Sequence, residues 1–267
     1  MHSLGLEYHD VVAAEEFDAS GFPGAASASY KLPVGDFTAH LDAIRVTGAR
    51  VTRADLLAAT DAGAMPVFLT FDDGGAGALR ETAPILESYG WTSHFFIVSG
   101  RVGTSGFLDA AAIRELHRRG HLVGSHSCTH PPRFSGLSMR DMVREWKESR
   151  ALLEDIVQTE VTMASVPGGY YRRPAAEAAA EAGYRVLFTS EPMTRVRKVG
   201  DCLVLGRYSL RRASPPALAS ALVVGHGAAG GRQWATWNAK KVMKAAGGRV
   251  YLAAREIIFE RVHSRSH

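Results

Sequence analysis

Met65 to Phe71 is a compact apolar run that ends, with no spacer, in Asp72-Asp73-Gly74. Such a run suits a strand buried on both faces, inside a parallel sheet covered by helices. Two adjacent carboxylates at its end are then held at the edge of the sheet. Further along, Ser125-His126-Ser127-Cys128-Thr129-His130 places two histidines four residues apart in another short loop. Asp and neutral imidazole are ordinary ligands of a Zn²⁺-like ion, and three protein ligands leave coordination positions open. The second carboxylate, beside the ion but not needed to hold it, can take a proton from the attacking water. These residues point to a metal-assisted hydrolase.

The rest of the chain alternates strands with helices. Leu4, Leu6 and Tyr8 alternate with polar or small residues, predicting a strand that ends at Tyr8-His9. Ala13 to Tyr30 reads as a loop, broken by Gly21, Pro23 and Gly24. Helices are predicted over Asp36–Ile44, Ala76–Tyr89, Asp109–Arg119, Ser138–Val157 and Ala175–Ala182. Asp109 and Ser138 serve as N-caps, and Gly90, Gly120 and Gly183 as stops. Strands are predicted over Thr92–Val98, Leu122–Ser125 and Tyr184–Thr189. With 267 residues, 46% of them hydrophobic, the chain suits one α/β barrel better than two small domains. His9, the Asp72-Asp73 pair and His126 each follow the C-terminal end of a predicted strand, the face on which barrels build active sites.

Thr70-Phe71-Asp72-Asp73-Gly74 and His126-Ser127-x-Thr129-His130 resemble the first two motifs of the polysaccharide deacetylase family, also called the NodB-homology or carbohydrate esterase 4 fold. The recognisable part runs from about Met65 to Thr189. The resemblance implies a distorted (β/α) barrel that removes acetyl groups from N-acetylated sugars. It also implies Asp72 as the base and Asp73, His126 and His130 as the ligands of one divalent ion, zinc first, with cobalt and nickel as alternatives.

The third family motif carries an Arg that orients the base, followed by prolines whose backbone helps hold the oxyanion. Here Ser165-Val166-Pro167-Gly168-Gly169-Tyr170 puts Val166 in the place of the Arg. The Pro-Gly-Gly turn still allows a backbone N–H near Gly169 or Tyr170 to face an oxyanion. Tyr170 is a candidate for the groove wall or an aromatic packed under the loop. Arg172-Arg173 reads as solvated surface, with a reach back towards Asp72 as the alternative. The last motif, a histidine that protonates the leaving amine, has two candidates. His226 comes late in the chain but is flanked by glycines. His9 ends a strand and resembles the N-terminal Tyr-His of circularly permuted deacetylases acting on poly-N-acetylglucosamine; it is preferred. The plainer reading of His9 is a core histidine satisfied by the backbone. His94, His117 and His121 read as structural, and Cys128 as a small buried filler.

A net charge of +4 is too small and too scattered to argue for nucleic acid. The two cysteines make no disulfide framework. No signal peptide is visible, so the protein is cytoplasmic or the chain begins after a removed leader. The expected organisation is a deacetylase-like barrel over residues 1–230 and a basic amphipathic helical extension over 231–267. The extension interleaves Trp234 and Trp237 with Lys240, Lys241 and Lys244, which fits peripheral contact with a membrane surface. A packing helix with a wet basic face fits as well. The expected substrate is an N-acetylated glycan or glycolipid. Two readings stay open beside deacetylation: hydrolysis of another amide, such as a formamide or cyclic imide, and a silent glycan-binding relative lacking the motif arginine. The sequence leaves the oligomeric state open.

Overall fold

The computed structural model describes residues 1–14, 16–59, 65–225 and 229–239. In chain order its strands are β1 Leu4–Tyr8, β2 Asp10–Val12, β3 Lys31–Pro33, β4 Val67–Phe71, β5 His94–Ile97, β6 Leu122–Ser125, β7 Met163–Ser165, β8 Val186–Phe188, β9 Arg197–Val199, β10 Cys202–Leu205 and β11 Arg207–Ser209. The α-helices are α1 Ala25–Ala28, α2 Val34–Val46, α3 Ala83–Ser88, α4 Ala110–Arg118, α5 Met139–Val157, α6 Arg173–Glu181 and α7 Pro216–Val223.

The main sheet runs in the order β11-β1-β4-β5-β6-β7-β8-β10-β9, and every pairing in it is parallel except β9 with β10. The end strand β11 directly follows β10, the next-to-last strand at the opposite end. Residues 202–209 form one stretch, bent at Gly206, whose first half pairs with β8 and whose second half pairs with β1. That stretch closes the sheet into a distorted barrel. Gly206 makes the bend possible, because a Cβ there would lie 2.4 Å from the Glu191 carbonyl.

Two apolar layers follow from the strand alternation. Phe68, Phe96, Met163, Phe188 and Leu205 fill the barrel interior together with Ala54 and Leu57 from the turn below it. The larger layer lies outside, where helices cover the strands; Phe37, Leu41, Ile113, Leu116, Trp146 and Leu153 belong to it. Each large side chain fully buried in these layers contributes about 1.5–3 kcal/mol. Asp109 accepts from the Ala112 N–H and Ser138 from the Asp141 N–H, so both expected caps open their helices.

Three expectations need correction. Ala76–Tyr89 is not one continuous α-helix: a π-turn at Ala78–Thr82 precedes α3, where Pro84 has no N–H to continue the ladder. The loop from Ala13 to Tyr30 holds the short α1 and is clamped by a two-stranded sheet, β2 on β3. Strands β9 to β11, too short to show a period, were not anticipated. Residues 229–239 are helical. Most of the extension expected over 231–267, with Lys240, Lys241 and Lys244, lies outside the described residues, as does His226. Among the described residues no helix is long and apolar enough to cross a membrane.

Candidate active site

Strands β1, β4, β6 and β7 each deliver polar groups at their C-terminal ends, and these meet at one mouth. Asp73 directly follows Asp72 past β4 and is held at φ 76°. In the loop after β6, Ser127 and His130 have φ 64° and 56°. Three of the five non-glycine residues with positive φ among the described residues thus lie in these two loops. Such conformations cost about 1–3 kcal/mol each and persist only where their surroundings over-determine them. In the β6 loop those surroundings are visible. The Ser125 Oγ accepts from the Ser127 N–H at 3.1 Å, and the Ser127 Oγ accepts from the His130 N–H at 3.1 Å. From α5, the buried Glu145 accepts from the Cys128 and Thr129 N–H groups at 3.0 and 2.8 Å and from the Thr129 hydroxyl at 2.7 Å.

The strained loops bring three ligand-type atoms together. Asp73 Oδ1 lies 3.6 Å from Nε2 of His126 and 3.6 Å from Nε2 of His130. Nδ1 of His126 is 3.0 Å from the Ser165 carbonyl. It donates its hydrogen there, leaving the Nε2 lone pair facing Asp73. Burial lowers the imidazoles to about 4 for His126 and about 3 for His130, so both rings are neutral near pH 7. Burial, then the neighbouring charges of Asp72, Asp10 and Glu7, push the Asp73 carboxyl well above its ordinary range. Asp73 Oδ1 is buried and has no hydrogen-bond partner. Two neutral imidazoles and an orphaned carboxylate oxygen within 4.8 Å of one another are a donor set that fits one divalent cation. Cys128 belongs to no such group among the described residues.

Asp72 is supplied differently. Its carboxylate receives both arms of a buried guanidinium: Arg207 donates to Oδ1 at 2.7 Å and to Oδ2 at 2.8 Å. Arg207, in β11, also donates to Ser165 Oγ at 2.7 Å, Thr70 Oγ1 at 3.0 Å and Glu7 Oε1 at 3.2 Å. Below, its charge rests over the faces of Phe96 and Phe188. Burial alone would push the Asp72 carboxyl up; the charges of Arg207 and then His126 outweigh it and hold the group well below the usual carboxylate range. Gly5 makes room for this side chain, since a Cβ there would lie 2.6 Å from Arg207 Cγ.

His9 lies between β1 and β2. It groups with Glu7 and Asp72, their polar atoms within 4.8 Å of one another. Tyr30 covers its ring at 4.5 Å, and its Nδ1 is buried without a partner. That orphan nitrogen does not fit a core histidine satisfied by the backbone. Burial lowers His9 to about 4. Val166 is buried in the outer apolar layer, while its neighbour Ser165 faces the mouth, and the Ser165 hydroxyl donates to Asp72 Oδ2 at 3.2 Å. Gly169 ends a short turn over Pro167–Gly169, and Tyr170 beside it is half-buried under Arg172 at 5.1 Å. Neither Arg172 nor Arg173 contacts Asp72: the first stacks on Tyr170 and the second pairs with Glu177. His94 and His121 are structural, accepting from the Ala54 and Ser93 N–H groups.

Residues 59–187 match the family model for polysaccharide deacetylase. Through that segment the chain is similar to the polysaccharide deacetylase family. It is 26% identical over 177 residues to the candidate polysaccharide deacetylase YxkH of Bacillus subtilis, a match covering 64% of this chain and 63% of the relative. The matches to curated relatives thus span under two thirds of their lengths, 63% and 35%. The fold is that of the Streptococcus pyogenes deacetylase PplD, solved with acetate, at TM-score 0.67 and 20% identity over 81% of this chain and 95% of that one. It is likewise that of IcaB from Ammonifex degensii, at TM-score 0.66 and 21% identity over 83% and 97%. His9 and Arg207 both lie outside the matched segment.

Arg207, Ser165 and Glu145 were not picked out as site residues from the sequence. Glu145 and Ser149 interrupt an otherwise apolar stripe on α5, with Met142, Trp146 and Leu153, and that is a readable signal. Arg207 left a fainter one, an arginine between apolar residues.

Proposed function

We propose that the protein is a metal-dependent hydrolase that removes the acetyl group from an N-acetylated amino sugar in a glycan or glycolipid. The observation that carries this reading is the orphaned Asp73 Oδ1 facing His126 and His130, beside a second carboxylate held by Arg207. Asp73, His126 and His130 would hold the ion, zinc before cobalt or nickel. When bound, such an ion supplies Lewis-acid polarisation and makes water a better nucleophile at neutral pH. Asp72 stays ionised and takes a proton from the attacking water as the water adds to the acetyl carbonyl. Its bidentate tie to Arg207 fixes which oxygen faces the mouth. A backbone N–H near Gly169 or Tyr170 faces the developing oxyanion. His9, neutral in the resting site, must gain a proton before it can give one to the departing nitrogen, and its partnerless Nδ1 leaves the ring free to do so.

The silent glycan-binding reading rested on the missing motif arginine. Arg207 makes contact with the base from another strand, which removes that ground. Acetate release from chito-oligosaccharides, with and without a chelator, tests the proposal. Release that stops on chelation and returns with added zinc supports it. Bound metal with no acetate from any acetamido sugar would turn the reading to another amide.

A further inference from the structure

Arginines on the outer helices are mostly spoken for. Arg45 pairs with Asp42, Arg118 with Glu115, Arg144 with Asp141, Arg150 with Glu154 and Arg173 with Glu177. Three at the rim of the mouth are not. Arg101, Arg172 and Arg211 form no ion pair among the described residues, and each lies instead on an aromatic face. Arg101 lies 5.5 Å over Phe22, whose ring is 5.1 Å from that of His130. Arg211 lies 4.2 Å over Tyr30, whose ring covers His9. Arg172 covers Tyr170 beside the Gly169 turn.

The three side chains sit in the segments that follow β5, β7 and β11. In the closed ring these strands are not neighbours, so the arginines face the mouth from three directions. The rings beneath them are half-buried while Arg101 and Arg172 are exposed. Stacking occupies the flat face of a guanidinium and leaves N–H donors along its edge, which suits a planar or tetrahedral oxyanion. The carboxylates lower in the site do not use them: Asp72 and Glu7 are taken up by Arg207, and Asp73 faces the two histidines. A neutral acetamido glycan offers these arginines only hydroxyls and amides.

We propose that the substrate is an acidic glycan, carrying a phosphate or carboxylate group on or next to the acetamido sugar, and that Arg101 and Arg211, with Arg172, select it. This rests on the deacetylase reading above. Three tetrasaccharide probes test it: a neutral N-acetylglucosamine tetramer, its 6-O-phosphorylated form, and an alternating N-acetylglucosamine–glucuronate tetramer. The expected result is a kcat/KM at least about tenfold higher for an acidic probe, the scale of one charge-assisted hydrogen bond. Whichever acidic probe leads identifies the oxyanion. The preference should shrink as salt is raised, a measurement on the unaltered protein. Arg101→Gln and Arg211→Gln should each cut the acidic-to-neutral ratio by about tenfold. Equal turnover of neutral and acidic probes, insensitive to salt, overturns the acidic substrate while leaving deacetylation standing. No acetate from any probe overturns both.

Discussion

The two sides of the mouth are built in opposite ways. On the side made by the loops after β4 and β6, the chemistry is local. Asp73, His126 and His130 sit in two short motifs, and the cost of folding them appears as positive φ at Asp73, Ser127 and His130. On the side made by β1 and β11, the chemistry is long-range. Arg207 reaches Asp72 across 135 residues and Glu7 across 200, with ordinary strand geometry and a glycine opposite to admit it. The first side uses backbone strain to bring ligand-type atoms together; the second uses burial to hold one charge against two carboxylates. The family match covers the first side and leaves out the second.

The largest effect should come from the local side. His126→Ala together with His130→Ala removes two of the three proposed ligand atoms, and both bound metal and acetate release should vanish. Elemental analysis and turnover on the purified variant check it; retention of both would place the ion elsewhere.

His9 comes next. His9→Ala should slow acetamide cleavage by about 10²- to 10⁴-fold, the usual worth of a general acid. A nitrophenyl ester, whose leaving group departs unprotonated, should be slowed far less. Equal loss on both substrates would make His9 a structural residue of the β1 side.

Arg207→Met tests the long-range side through stability. It leaves Asp72 and Glu7 buried without their cation, which should cost about 3–5 kcal/mol in denaturant unfolding. The sign with pH is fixed. Asp72 is depressed in the folded protein, so its pairing stabilises above the ordinary carboxylate range and is lost as pH falls through the folded value. The gap between variant and parent should therefore be widest near neutral pH and narrow in acid. A constant gap would mean that the guanidinium matters for packing rather than for charge.

Glu145→Gln should give the smallest effect. The amide keeps one acceptor oxygen where the carboxylate offered two to three donors, so the β6 loop loosens. Metal affinity should fall by about 10- to 100-fold. Unchanged affinity would show that Ser125 and Ser127 hold the loop by themselves.

What the sequence revealed divides along the same line. The Asp pair and the His pair were legible because their spacing is short and their residue types are uncommon together. The strands bearing them were legible because apolar runs and caps such as Asp109 and Ser138 act locally. Ring closure by residues 202–209 was not, since two strands of three and four residues carry no period. Arg207 was missed for that reason: a motif position filled by Val166 suggested a missing arginine, and nothing local shows that a different strand supplies one.

The most direct test compares metal content and acetate release in Asp72→Asn and Asp73→Asn. The geometry gives the two adjacent carboxylates separate partners, an arginine for one and the histidines His126 and His130 for the other. Asp72→Asn should keep its ion and lose about 10²- to 10⁴-fold in rate, while Asp73→Asn should lose the ion itself. The reverse pattern, or full metal and full turnover in both, would contradict the account.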